Sequence, residues 1–209
     1  MNIFEITEIA IKLPGYNISY VELIGTLFGL FSVYFASKAN ILTWPTGIIN
    51  EIFLFLLFFQ VRLYADMFLQ IFFFIVTVYG WYNWSMKQDE PVISKMKTSS
   101  KLLIVATIII FTGLFGLFFS NIHIYLPMYF KSKAAYPVID SFVMVSSIAA
   151  TMLLAKKKIE NWYLWITVDA VCVVLYFVKG VYFLSLEYFI FIVLACYGLF
   201  NWTKQLQHD

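Results

Sequence analysis

Charge is scarce in this 209-residue chain, where Asp, Glu, Lys and Arg together make up only 12% of the residues. Soluble domains carry roughly 25% charged residues and about half apolar ones. Here 62% are hydrophobic and 21% aromatic, with a mean hydropathy of +0.85. A soluble fold is excluded. The net charge is only +2, and no basic stripe is interleaved with exposed aromatics, which removes nucleic acid as a partner. Cysteine is almost absent. Cys172 and Cys196 each lie inside an apolar run, so no disulfide framework is expected and both read as small core hydrophobes. The chain also lacks a Walker lysine loop and an HExxH motif, and His123 and His208 are too isolated to ligate a metal together. Aspartate clusters that would hold magnesium against a diphosphate are missing too. No metal and no cofactor is expected. The N-terminus offers Asn2, Glu5 and Glu8 where a secretory signal would place basic residues, and the chain is expected to insert uncleaved.

What is present is a series of long apolar runs. About 20 apolar residues span a hydrocarbon core of about 30 Å, and the sequence divides into seven such candidates: Tyr20 to Ser37, Ile41 to Gln60, Leu63 to Ser85, Leu102 to Ser120, Val138 to Ala155, Trp162 to Val178 and Tyr182 to Trp202. Val61 and Arg62 form nearly the whole turn between the second and third. Lysine and arginine are unevenly shared between the two sides. One holds Lys12, Arg62, Lys131, Lys133 and Lys179; the other holds Lys38, Lys87, Lys95, Lys97, Lys101, Lys156, Lys157, Lys158 and Lys204. By the positive-inside rule the richer side is cytoplasmic, which puts the N-terminus outside and the C-terminus inside. In Ile3 to Leu13, the apolar positions Ile6, Ile9, Ala10 and Leu13 have helical spacing and suggest a helix lying in the outer interface.

An internal repeat emerges when the chain is slid along itself by 118 positions. Without a gap, Trp44 falls on Trp162, Ile48 on Ile166, Leu57 on Leu175 and Tyr64 on Tyr182. Tyr79, Gly80, Asn83 and Trp84 fall on Tyr197, Gly198, Asn201 and Trp202, and the acids Glu22 and Glu51 fall on Asp140 and Asp169. Shared Trp, Gly, Asn and acid positions at one offset point to duplication. The expected fold is therefore an all-α membrane protein in a 3+1+3 arrangement. An outer segment 1–19 precedes a first triplet 20–85. A loop and linking helix, 86–137, lead to the second triplet 138–203 and a cytoplasmic tail 204–209. The odd middle span makes the repeats parallel, and parallel repeats place a substrate site between them near the midplane.

A carboxylate at mid-bilayer costs about 2.5 to 3.5 kcal/mol on insertion scales and normally faces a cavity or a partner. Glu51 and Asp169 are such acids, paired by the repeat. Trp44, Trp81, Trp84, Trp162 and Trp202 lie toward span ends, where an interfacial aromatic belt is the ordinary explanation. Trp165 lies about 4.5 Å deeper than Trp162, four residues before Asp169 on the same face. An indole beside a carboxylate suits a flat organic cation, with core packing as the alternative. Gln70, Thr77 and Trp81 share one face of the third span, and Asn50 adjoins Glu51. Amides there bind polar substrates or stitch helices together. Asp66 and Glu187 read as mouth or packing residues.

The stretch from Trp44 to Trp84, with its YAD and GWYNW sequences, and the stretch ENWYLWITVD from Glu160 to Asp169, continuing into KGVYF and SLEYF, resemble PnuC-type vitamin transporters from about Tyr20 to Trp202. The resemblance implies a SWEET-like seven-helix core in an inner plasma membrane and a homotrimer. It implies facilitated diffusion of nicotinamide riboside by alternating access, with a cytoplasmic kinase trapping the product. By the same resemblance the substrate-binding candidates are Trp165, Asp169, Asn50 and Gln70, joined by Glu51, Trp44, Trp162 and Thr77. Some nicotinamide riboside carriers of that family have Asn in place of Asp169 and an apolar residue in place of Glu51. Thiamine, another cationic aromatic vitamin, is thus the second substrate reading, and an intramembrane enzyme using the two acids is a third, more distant one.

Overall fold

The computed structural model describes residues 3–13, 16–60, 64–86, 93–128, 133, 135–178 and 182–208. Among the described residues a two-stranded antiparallel hairpin, β1 (Ile9–Leu13) and β2 (Tyr16–Ser19), precedes eight helices. These are α1 (Tyr20–Ser37), α2 (Thr43–Gln60), α3 (Tyr64–Met86), α4 (Thr98–Ser120), the single turn α5 (Ile122–Tyr125), α6 (Pro137–Ala155), α7 (Glu160–Val178) and α8 (Tyr182–His208). The turn read at Val61 and Arg62 lies outside the described residues, as do Lys87, Lys131, Lys179 and the side chain of Asp66.

The hairpin corrects the expectation of an interfacial helix over Ile3 to Leu13. Ile9, Ile11 and Leu13 also alternate with period two, and the Pro14-Gly15 dipeptide after them is a turn signal that no helix would carry through. Ile11 pairs with Ile18 and Lys12 with Asn17, and a bulge lies between Ile9 and Ile11. One further difference concerns an end: α4 begins at Thr98, ahead of the expected Leu102.

Five helices among the described residues are long and apolar enough to cross a membrane: α1, α4, α6, α7 and Leu184–Gln207 of α8. α2 is also 18 residues long, but Asn50, Glu51 and Gln60 dilute its apolar content. α2 packs between α1 and α3, and α7 between α6 and α8; α3 meets α6, α1 meets α8, and α4 lies along α6.

At the lysine-bearing end the same construction occurs twice. α1 and α6 each close on a non-glycine residue in the left-handed region, Ala39 (φ 51°) and Lys157 (φ 47°), 118 positions apart. Trp44 and Trp84 meet edge to face with centroids 5.0 Å apart, and Trp162 and Trp202 do so at 5.5 Å. Gly80 and Gly198 make room for them. A methyl group on Gly80 would overlap the Trp44 ring, and one on Gly198 the Trp162 ring. The outer indoles then reach across. Trp84 Nε1 donates to Ala155 O (3.1 Å) at the end of α6, and Trp202 Nε1 to Ala36 O (3.0 Å) at the end of α1. Asn83 and Asn201 add parallel bonds to Ala155 O and Ser37 O.

These contacts overturn the aromatic-belt reading for four of its five tryptophans. Trp44, Trp84, Trp162 and Trp202 are 0–7% exposed, and only Trp81, at 40%, faces outward. One feature of this end has no twin. The segment before α4 crosses the α6–α7 turn, with Ser94 bonded to the backbone of Lys157 and Ile159. Glu160 accepts from Met96 N and pairs with Lys101 (2.9 Å).

Candidate functional site

Between α1–α3 and α6–α8 lies a cavity of about 830 Å³, within the 300–1,000 Å³ range of small-molecule sites. All eight side chains singled out from the sequence line it: Asn50, Glu51, Trp44, Gln70 and Thr77 on one side, and Trp162, Trp165 and Asp169 on the other. Glu51 is the ninth residue of the 18 in α2 and Asp169 the tenth of the 19 in α7, so each sits at the middle of its helix.

The two acids differ in their surroundings. Glu51, 7% exposed, accepts through Oε1 from Thr77 Oγ1 on α3 (2.5 Å), while Oε2 has no partner among the described residues. Asp169, 4% exposed, sits on the same face of α7 as Trp165 and receives no hydrogen bond from any described residue. Asn50 is committed in part, since its Nδ2 donates to Gly25 O on α1 (2.8 Å), a helix-stitching bond. The indole N–H groups of Trp44 and Trp162 are buried beside the cavity without an acceptor among the described residues. A ligand or solvent acceptor would satisfy them.

The sequence reading did not single out Tyr176, Tyr188 and Phe191, which also line the cavity. Tyr176 and Tyr188 stack at 5.3 Å with their planes 10° apart, and Phe191 abuts Tyr188 edge-on at 6.0 Å. Tyr176 follows Trp165 and Asp169 at helical spacing, and Tyr188 is the repeat mate of Gln70, so both signals were available. Toward the hairpin end the lining continues through Glu187, Glu22, Tyr16 and Ile6. The hairpin end is tied down by Gln60, whose side chain bonds both Ile6 N (3.0 Å) and Phe4 O (2.7 Å).

A family model for nicotinamide mononucleotide transporters matches residues 19–204. The chain belongs to the nicotinamide mononucleotide transporter family. Among its relatives, the nicotinamide riboside transporter PnuC of Escherichia coli (strain K12) is 32% identical over 227 residues, covering 98% of this chain and 95% of that protein. The riboflavin/roseoflavin transporter RibM of Streptomyces davaonensis is 24% identical, with 92% and 89% covered. A crystal structure of the vitamin B3 transporter PnuC superposes with a TM-score of 0.68 at 22% identity, over 90% of this chain and 83% of that one, and so shares the fold. Membership of the nicotinamide mononucleotide transporter family makes the chain a multi-pass membrane transporter and sets the intramembrane-enzyme reading aside.

Proposed function

We propose that this chain carries nicotinamide riboside across the membrane by facilitated diffusion. The carrying observation is the cavity, where a partly buried indole and an unpartnered carboxylate share one face of α7 while Glu51, Gln70, Thr77 and Asn50 offer polar groups opposite. The pyridinium ring would lie against Trp165 beside Asp169, its charge attracted by both, and the ribose hydroxyls would face the amides and Glu51. The unpaired indoles of Trp44 and Trp162 would serve as donors at the floor.

Transport itself would be a rocking of α1–α3 against α6–α8 about this site, α2 and α3 completing seven spans in a parallel 3+1+3 repeat. The twice-built tryptophan end supports duplication. The lysine excess at that end supports a cytoplasmic location for it, with Met1 outside and Asp209 inside a bacterial inner membrane; reporter fusions at both ends test this. A homotrimer and trapping by a cytoplasmic kinase follow from the family resemblance alone.

The deciding experiment is uptake into liposomes holding only the purified protein. Labelled nicotinamide riboside should equilibrate chemically unchanged, without an ion gradient. Equilibration of labelled thiamine in its place would shift the assignment to the other cationic vitamin, and conversion of the label would overturn transport.

A further inference from the structure

The two mid-depth acids should be equivalent if the halves were, and the tryptophan clamps show where they part. Glu51 lies seven residues after Trp44, and its donor Thr77 lies three before Gly80. Asp169 lies seven residues after Trp162, and the residue three before Gly198 is Ala195. Trp44 is seated on Gly80 and Trp162 on Gly198, each at right angles to its second indole. The register of α7 against α8 is therefore that of α2 against α3, and Ala195 takes the place opposite Asp169 that Thr77 takes opposite Glu51. Ala195 lines the same cavity and is 1% exposed. A methyl group cannot donate.

We propose that Ala195 is a specificity-determining position: by withholding the hydroxyl that Thr77 gives to Glu51, it leaves Asp169 as the acid whose partner is the substrate. A buried carboxylate without a donor is costly. A ligand that brings a positive ring or an N–H or O–H donor to this depth removes that cost, and a neutral ligand lacking the donor leaves it in place. The selected class is a flat cation or strong donor held at the α7–α8 face, with Glu51, already half satisfied, acting on the ligand's other end. The inference rests on the reading of the cavity as a vitamin site.

The test is equilibrium binding of nicotinamide riboside to purified protein carrying Ala195→Thr or Ala195→Val, which match in shape and differ in the hydroxyl. Ala195→Thr should bind about tenfold more weakly, the scale of one bond to a charged group. Ala195→Val should stay within about threefold of the unmodified protein, the scale of a mild repacking cost. In an Asp169→Asn background, Ala195→Thr should add no further loss. Ala195→Ser, smaller still, carries the same expectation if the threonine variant does not fold. Equal losses for Thr and Val, or no loss for Thr, would overturn the role of Ala195 while leaving the transporter reading intact. An unmodified chain that binds no nicotinamide riboside overturns both.

Discussion

The lysine-bearing end and the cavity wall are built from the same helices and have diverged to different degrees. At the end, three features of one half recur in the other: left-handed turns at Ala39 and Lys157, glycines under Trp44 and Trp162, and crossed bonds from Trp84 and Trp202. One turn deeper the equivalence stops. Gly47 stands where the other half has Trp165, Gln70 where it has Tyr188, and Thr77 where it has Ala195. The repeated end fixes the register of each helix pair, and a fixed register lets single positions change without moving their neighbours. The result is a cavity polar on the α2–α3 side and aromatic on the α7–α8 side, which an asymmetric molecule with one flat ring can occupy in one orientation.

The symmetric end should respond symmetrically. Gly80→Ala and Gly198→Ala each drive a methyl into a buried indole and should destabilise by about 3 kcal/mol, the upper range for overpacking, with thermal melting in detergent falling by similar amounts. A tolerant glycine on one side would break the equivalence of the clamps. The cavity should respond asymmetrically. Asp169→Asn should weaken binding of a cationic vitamin by about 1 to 3 kcal/mol, and Glu51→Gln by less, because Thr77 already serves that acid; isothermal titration compares them, and a larger loss at Glu51 would recentre the site on the first half. Trp165→Ala should cost about 1 to 2 kcal/mol of binding, the scale of a desolvated cation–aromatic contact, while melting stays near that of the unmodified protein. Unchanged affinity would return Trp165 to packing. The smallest effect belongs to the feature without a twin. Lys101→Ala removes a partly exposed ion pair to Glu160 and should lower stability by about 0.5 kcal/mol; a loss of several kcal/mol in denaturant titration would make the segment before α4 a structural mainstay of the second half only.

Helix positions were legible because runs of apolar residues bounded by lysines admit few alternatives; α1 occupies Tyr20–Ser37, as read. The hairpin was not, since Ile9, Ile11 and Leu13 fit two periods at once and the choice fell to the turn signal after them. Trp44, Trp84, Trp162 and Trp202 were placed at the correct helix ends but facing the wrong way. Depth along a helix follows from counting residues, whereas facing depends on a partner, and the partners Gly80 and Gly198 lie more than thirty positions downstream of the rings they seat. The eight candidate residues share one cavity because helical spacing and the repeat both carry three-dimensional information. Ala195 was invisible because an absent hydroxyl leaves no mark on a sequence until the opposite half shows one there.

The crossed bonds also set a schedule. Chains are made from the N-terminus and tend to fold in that order, and the buried indole N–H of Trp84 finds its acceptor, Ala155, only 71 residues later. Until α6 is in place, that donor lacks the acceptor it has in the finished protein, so α1–α3 wait unfinished. Trp202 has no such interval, because Ala36, 166 residues before it, is already in place. Two bonds that match in the finished protein are therefore unequal during synthesis. A nascent chain halted between α3 and α6 would be the form most exposed to quality-control proteases, and one halted within α8 before Trp202 would already have its first half closed.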